Sequence, residues 1–233
     1  MSRPERSSTA RGLTRRASPE ALLSHLAHEA RTPLAVAHGY AELLGRRGGE
    51  RVVQEAARAL PSCVARLSTT VDELVAALAL EGGLLTLELD PLPLETLVVD
   101  AVAAEEAACE NHRIVVSRSG AQARVLADRE HALLAAKLVL RAGCKLFHEG
   151  GDLLVDIASR RGLGEVSVSS RRAGAGGAAT RLFGDGDRTL AAELDVARRL
   201  VELHGGRVRV RLGGASGAAR ISLELPGADA RGG

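Results

Sequence analysis

Two apolar seams of helical period, interrupted by a five-residue glycine-rich run, constrain this chain more than any other feature. Leu23, Ala27, Ala30, Leu34, Ala37, Ala41 and Leu44 recur at spacings of four and three, which places them in a narrow stripe on one helix face. The run Gly45-Arg-Arg-Gly-Gly49 interrupts the pattern, and a second stripe follows in Val53, Leu60, Val64, Leu67, Val71, Leu74 and Leu78, ending at Glu81-Gly82-Gly83. Ser18-Pro19-Glu20 supplies the start of the first helix: a capping hydroxyl, a proline at the first helical position, and an acid near the positive end of the dipole. Two long helices joined by a short glycine-rich loop form an antiparallel hairpin. Such a hairpin cannot cover both seams by itself, so a two-fold dimer closing into a four-helix bundle is expected.

After Gly83 the period changes. TLELD, RIVVS, DLLVDIA, EVSVSS, RVRVRL and ARISLEL read as short strands, with helices expected near Leu94 to Asn111, Arg129 to Leu146 and Leu190 to His204. A sheet covered by helices on one side follows. The fold class is therefore α+β in two domains, with a hairpin at 18–83 and an α/β domain at 84–228. Residues 1–17 are rich in Arg, Ser, Thr and Gly and too poor in apolar groups to repay ordering, so they read as a disordered tail, and 229–233 form a second tail.

Composition narrows the partners. The net charge of +2 gives no basic stripe for nucleic acid, and no lysine or arginine run is interleaved with stacking aromatics, since the 233 residues hold no Trp, one Tyr and two Phe. No segment reads as a signal peptide or a membrane span, so neither nucleic acid nor membrane is expected as a partner. Cys63, Cys109 and Cys144 are odd in number and far apart, which indicates neither a disulfide framework nor a zinc site; a cytoplasmic, reducing location fits.

The chemistry concentrates in LAHEARTPL, Leu26 to Leu34. On a helical wheel His28 and Thr32 point nearly opposite to the seam, so both are expected at the surface, one turn apart. Pro33 cannot donate to the Glu29 carbonyl and crowds it, which predicts a bend beside His28. His25 and His38 read as ordinary solvent-facing histidines.

The segment H-E-A-R-T-P-L resembles the H-box of bacterial sensor histidine kinases, H-E-x-R-T-P-L, and GYAELL after it is also typical of them. The resemblance implies that His28 is the phosphoacceptor, that Glu29 orients the ring and handles its proton, and that Thr32 positions a water for hydrolysis of a partner's aspartyl phosphate. The second domain is similar in outline to that family's ATP-binding, GHKL-like α/β sandwich, but its boxes depart from the pattern. Aligning Lys145 and Gly150-Gly151 with N-A-x-K-F-T-P-E-G-G puts Ala142 where the magnesium-binding Asn belongs, and the chain's only asparagine, Asn111, cannot take that place. The D-x-G-x-G box has Ser170 or Arg172 at its acid, with Gly174 and Gly176 as a weak remnant and no acid before Asp185. Counting back from His204-Gly205-Gly206, the glycines of the third box become Thr189, Ala191 and Glu193, and a carboxylate there repels a triphosphate. Phe183, Lys145 and His204-Gly205-Gly206 are read as packing and turn residues, and the acidic GDGD as a turn in a short lid.

The expectation is a homodimeric histidine phosphotransferase of a phosphorelay. Its His28 would move phosphoryl groups between receiver-domain aspartates, with response-regulator receivers or a hybrid histidine kinase as partners. No cofactor or metal is expected on this chain, and magnesium would come from the receiver's own acidic site. The alternatives are a divergent ATP-dependent kinase or phosphatase whose sensor lies in another protein, and a non-catalytic pseudokinase adaptor. ATP-dependent autophosphorylation is disfavoured by the three altered boxes.

Overall fold

The computed structural model describes residues 19–46, 49–109, 111–120, 122–147, 150–170, 188–211 and 219–228. Both expected tails fall outside these residues, and so do Ser18, Arg172, Gly174, Gly176, Phe183 and the GDGD stretch.

Helix α1 (Pro19–Gly45) runs continuously through Pro33, and α2 (Glu50–Gly82) continues through its own Pro61. Gly83 ends α2 in the left-handed region at φ 63°, and the backbone N–H groups of Gly83 and Leu84 close onto the Leu80 and Ala79 carbonyls. The two helices form the hairpin read from the seams.

The rest of the chain is a mixed sheet with helices. In chain order come β1 (Asp90–Pro93), α3 (Leu94–Glu105) with a 3-10 turn at Glu106–Cys109, β2 (His112–Ser119), β3 (Arg124–Ala127) and α4 (Arg129–Leu146). They are followed by β4 (Gly151–Arg160), β5 (Leu163–Ser170), α5 (Arg188–Leu203), β6 (Arg207–Arg211) and β7 (Arg220–Pro226). Five strands order as β2-β4-β5-β7-β6, with β2 parallel to β4 and every other pair antiparallel. The register sets Val155 beside both Val116 and Val168, and Val168 beside Ile221. Alternation along β4 and β7 buries Leu153, Val155, Ile157, Ile221, Leu223 and Leu225, each contributing about 1.5 to 3 kcal/mol of transfer free energy. These residues share one core with Leu138 and Val139 of α4, Leu200 and Val201 of α5, and Leu26, Ala76 and Ala77 of the hairpin. The hairpin is therefore packed against the second domain.

Two glycines set the closeness of this packing. A Cβ on Gly143 would lie 2.6 Å from Val168 Cγ1, so α4 sits on β5 only because that position has no side chain. A Cβ on Gly206 would meet the Glu224 carbonyl oxygen at 2.1 Å, so the turn into β6 also requires glycine.

Three expectations are corrected, and one strand had no expectation at all. TLELD is not a strand over its length: only Asp90 enters β1, because β1 pairs with the short β3 through Asp90↔Ala127 to Pro93↔Arg124 and nothing pairs with residues 86–89. β3 itself went unread, being four residues without a clear alternation. The helix expected to reach Asn111 ends at Glu105 and tightens into the 3-10 turn. The cysteines are not all unpaired: Cys109 and Cys144 form a disulfide across 35 residues, joining the 3-10 turn to α4, and only Cys63 is free. Closing a loop of that size adds about 3 to 4 kcal/mol by the chain-entropy account.

Candidate functional site

His28 and Thr32 lie on α1 one turn apart, and both are exposed. Pro33, on the other side of the helix, is buried, and Leu26 two residues before His28 enters the shared core. α1 is thus anchored by residues flanking the histidine, with the imidazole presented outward. Glu29 takes a different direction. It is half-buried, with one carboxylate oxygen 3.9 Å from Arg66 Nη2 on α2 and the other 3.9 Å from Lys145 Nζ on α4.

Glu29 opens onto a cavity of about 460 Å³ between the hairpin and the α/β domain, bordered by Arg66, Glu105, Asn111, Arg141 and Lys145. Behind it lies a buried charge cluster drawn from four helices. Arg141 of α4 donates to Glu105 of α3 through Nε at 3.1 Å and Nη2 at 2.8 Å. Its Nη1 lies 3.5 Å from Glu73 of α2 and 3.6 Å from Glu193 of α5. Lys145, one turn further along α4, donates to Glu193 at 2.9 Å. A further pair, Arg199 of α5 with Glu81 of α2, ties the hairpin's second helix to the same face of the domain.

The cluster explains the titration of its members. Burial pushes the Glu73 carboxyl up from its ordinary 4.5 to about 8, the neighbouring Glu193 and Glu29 charges add to this, and Arg141 and Lys145 only partly oppose it. Burial also raises Glu193, against the pull of Lys145 and Arg141. Arg141 is held charged: burial works against its cationic form, but the Glu105 hydrogen bonds and the carboxylates around it outweigh that.

Glu73 gives a pH dependence with a definite sign. Between its unfolded value and about 8 the folded chain holds a proton that the unfolded chain has lost, so stability falls as pH rises through this window. The contribution is absent below the window, and the full penalty applies above it. Glu73→Gln, which mimics the protonated form, is expected to be more stable than the parent at pH 9 and close to it at pH 5. Thermal melts of both proteins across that range check this, and equal slopes would contradict it.

Among the sites read from the sequence, Ala142 is fully buried in α4 and Ser170 is buried at the end of β5. His204 is buried and its Nδ1 lies 2.7 Å from the Leu200 carbonyl, and Gly205 turns the chain at φ 77°, in keeping with turn and packing roles. Lys145 does more than pack: it is an ion-pair partner. Of Thr189 and Ala191, only Ala191 has a described side chain, and it is exposed. Arg66, Glu73, Glu105 and Arg141 were not singled out in the sequence. The available signal was Arg141 and Lys145 at spacing four within residues 138–146, a stretch otherwise made of apolar and small residues.

Among the described residues no helix is long and apolar enough to cross a membrane. A His Kinase A (phospho-acceptor) domain matches residues 20–81. No curated protein matches the chain. Among solved structures, the Acinetobacter baumannii histidine kinase AdeS is similar in fold, with a TM-score of 0.56 at 15% identity over 85% of this chain and 97% of that one. The full-length ShkA structure, in complex with AMPPNP, is similar at 28% identity and a TM-score of 0.53 over 91% of this chain. This chain spans 46% of the ShkA chain.

Proposed function

We propose that this chain, whose residues 20–81 match a His Kinase A (phospho-acceptor) domain, belongs to the bacterial two-component sensor histidine kinase family and works as a histidine phosphotransferase, relaying phosphoryl groups through His28 without using ATP. A receiver domain docks on the exposed face of α1. A lone pair on one imidazole nitrogen of His28 forms the N–P bond as the P–O bond to the receiver aspartate breaks, and that aspartate leaves as a carboxylate. The ring then carries positive charge, with its proton on the other nitrogen, and Glu29 is the carboxylate that orients the ring and holds that proton once it leaves its contacts in the cavity. The reverse step delivers the group to a second receiver's aspartate. Magnesium is supplied by the receiver's acidic site. Thr32, one turn along, is the residue from which a water attacks the aspartyl phosphate when hydrolysis competes with transfer.

The observation that carries this reading is the fully buried Glu193 carboxylate on Lys145 and Arg141. In the register of the family's boxes, Glu193 falls where backbone N–H groups approach the phosphates. The buried carboxyl there engages Lys145 and Arg141, cations that would otherwise be free to meet a triphosphate. Ala142 offers a methyl group where that register calls for a magnesium-binding amide. A second reading, a divergent ATP-dependent kinase, is favoured by the likeness to ShkA, whose structure holds AMPPNP. Incubation with radiolabelled ATP alone, and separately with a phosphorylated receiver domain, separates the two. Label is expected from the receiver only; label from ATP alone would replace the first reading with the second.

The same reading needs a dimer, as the family generally has, with response regulators as partners. In the single chain Leu34, Val64, Val71 and Leu78 remain 53%, 59%, 55% and 54% exposed, a stripe along both helices that a second hairpin would cover. Light scattering after size-exclusion chromatography is expected to give twice the chain mass, and Val64→Glu with Val71→Glu to give the single chain. A monomeric parent would contradict the bundle.

A further inference from the structure

Glu29 cannot meet the His28 ring while its side chain lies in the cavity. Successive residues on a helix point about 100° apart, so His28 faces solvent while the Glu29 side chain faces the cavity between the domains. There it meets Arg66, which belongs to its own hairpin, and Lys145, which belongs to the second domain. Lys145 is itself secured at 2.9 Å by Glu193, a carboxylate with no access to solvent. The same ammonium lies 3.9 Å from Glu29, in a partly buried place where ionic attraction is screened less than at the surface.

We infer that Lys145 and Glu29 form a latch between the domains, holding the carboxylate away from the His28 ring while the α/β domain is docked and releasing it when the domain lifts. The inference rests on the reading of His28 and Glu29 as the phosphotransfer pair. It gives the second domain a task that needs no nucleotide, because domain position decides whether the acceptor has its acid. The groups facing Glu29 differ in what undocking does to them: Arg66 of α2 stays with the hairpin, whereas Lys145 leaves with Glu193 and Arg141. Only the Lys145 contact is therefore sensitive to domain position.

The test compares the full chain with Lys145→Met and Lys145→Arg. The first readout is phosphoryl uptake from a receiver domain charged by a small acyl phosphate, and the second is amide hydrogen exchange along residues 26–33. Lys145→Met is expected to raise the uptake rate about fivefold, the low end of a typical coupling between sites. It is also expected to speed exchange in that segment, and Lys145→Arg to restore both. Unchanged or slower uptake in a folded Lys145→Met protein would overturn the latch, and so would Lys145→Arg behaving like Lys145→Met. If the parent takes no label from any receiver, the phosphotransfer reading fails by itself and exchange alone decides the latch, with unchanged exchange removing it. Should Lys145→Met not fold, Glu29→Gln replaces it in the exchange experiment, where faster exchange at residues 141–146 supports the latch and unchanged exchange removes it.

Discussion

A His28→Ala protein mixed with a phosphorylated receiver is expected to take up no label and to leave the receiver's charge to its own slow hydrolysis. The loss should be complete, because no neighbouring side chain can replace the imidazole: Thr32 offers an alcohol one turn away, and His25 and His38 lie three and ten residues along a helix whose faces turn by about 100° per residue. The stability of this variant should stay within about 0.5 kcal/mol of the parent, since His28 is exposed and α1 is anchored through Leu26 and Pro33 on its other face. Far-UV circular dichroism and a urea melt establish that the fold is intact, and acid-labile, base-stable label on the parent alone identifies the bond as phosphohistidine. Residual label on His28→Ala would move the acceptor to another residue.

The contrast between His28 and Glu29 shows where sequence was enough. The helical period of Leu and Ala places His28 and Thr32 at the surface, but the face of α1 packed within the chain is the one carrying Leu26 and Pro33, while seam residues such as Leu34 stay exposed. The strands β4, β5 and β7 were equally legible, because alternating Val, Leu and Ile leave one arrangement that buries them. β1 and β3 were not. A four-residue strand holding Pro91 and Pro93 has no alternation to read, and its partner is fixed by the packing around it. TLELD shows the reverse error, a pattern with correct alternation and no neighbouring edge to pair with.

The disulfide and the charge cluster were hidden for one shared reason. Cys109 and Cys144 lie 35 residues apart, and Arg141 finds Glu73, Glu105 and Glu193 on three other helices, so no local spacing records either meeting. Glu193 is the instructive case. Its sequence position says only that an acid stands where the family keeps glycine. That the acid is buried and matched by two cations of α4 is a property of the fold, and it makes Glu193 a support of the packing between α4 and α5.

Arg141→Met is the structural counterpart, and it is expected to cost about 3 to 5 kcal/mol of folding stability, as removal of one partner from a buried ion pair does. Methionine fills much of the volume, so the loss is electrostatic. Glu105 forfeits both of its hydrogen bonds to the guanidinium, and Glu193 keeps only Lys145. Chemical denaturation measures the cost directly. A second variant separates this cause from poor packing: Arg141→Met with Glu105→Leu removes both members of the strongest pair, and replacing a buried pair by apolar groups of similar size is often neutral. The double variant should therefore recover most of what the single one loses. If it recovers nothing, Arg141 is held by shape more than by charge. Recovery of stability without recovery of domain docking would mean that the cluster's charges serve to place α2 against α4 and α5, since Glu73 is the member of this cluster that the hairpin contributes and Arg141 is the cation it meets.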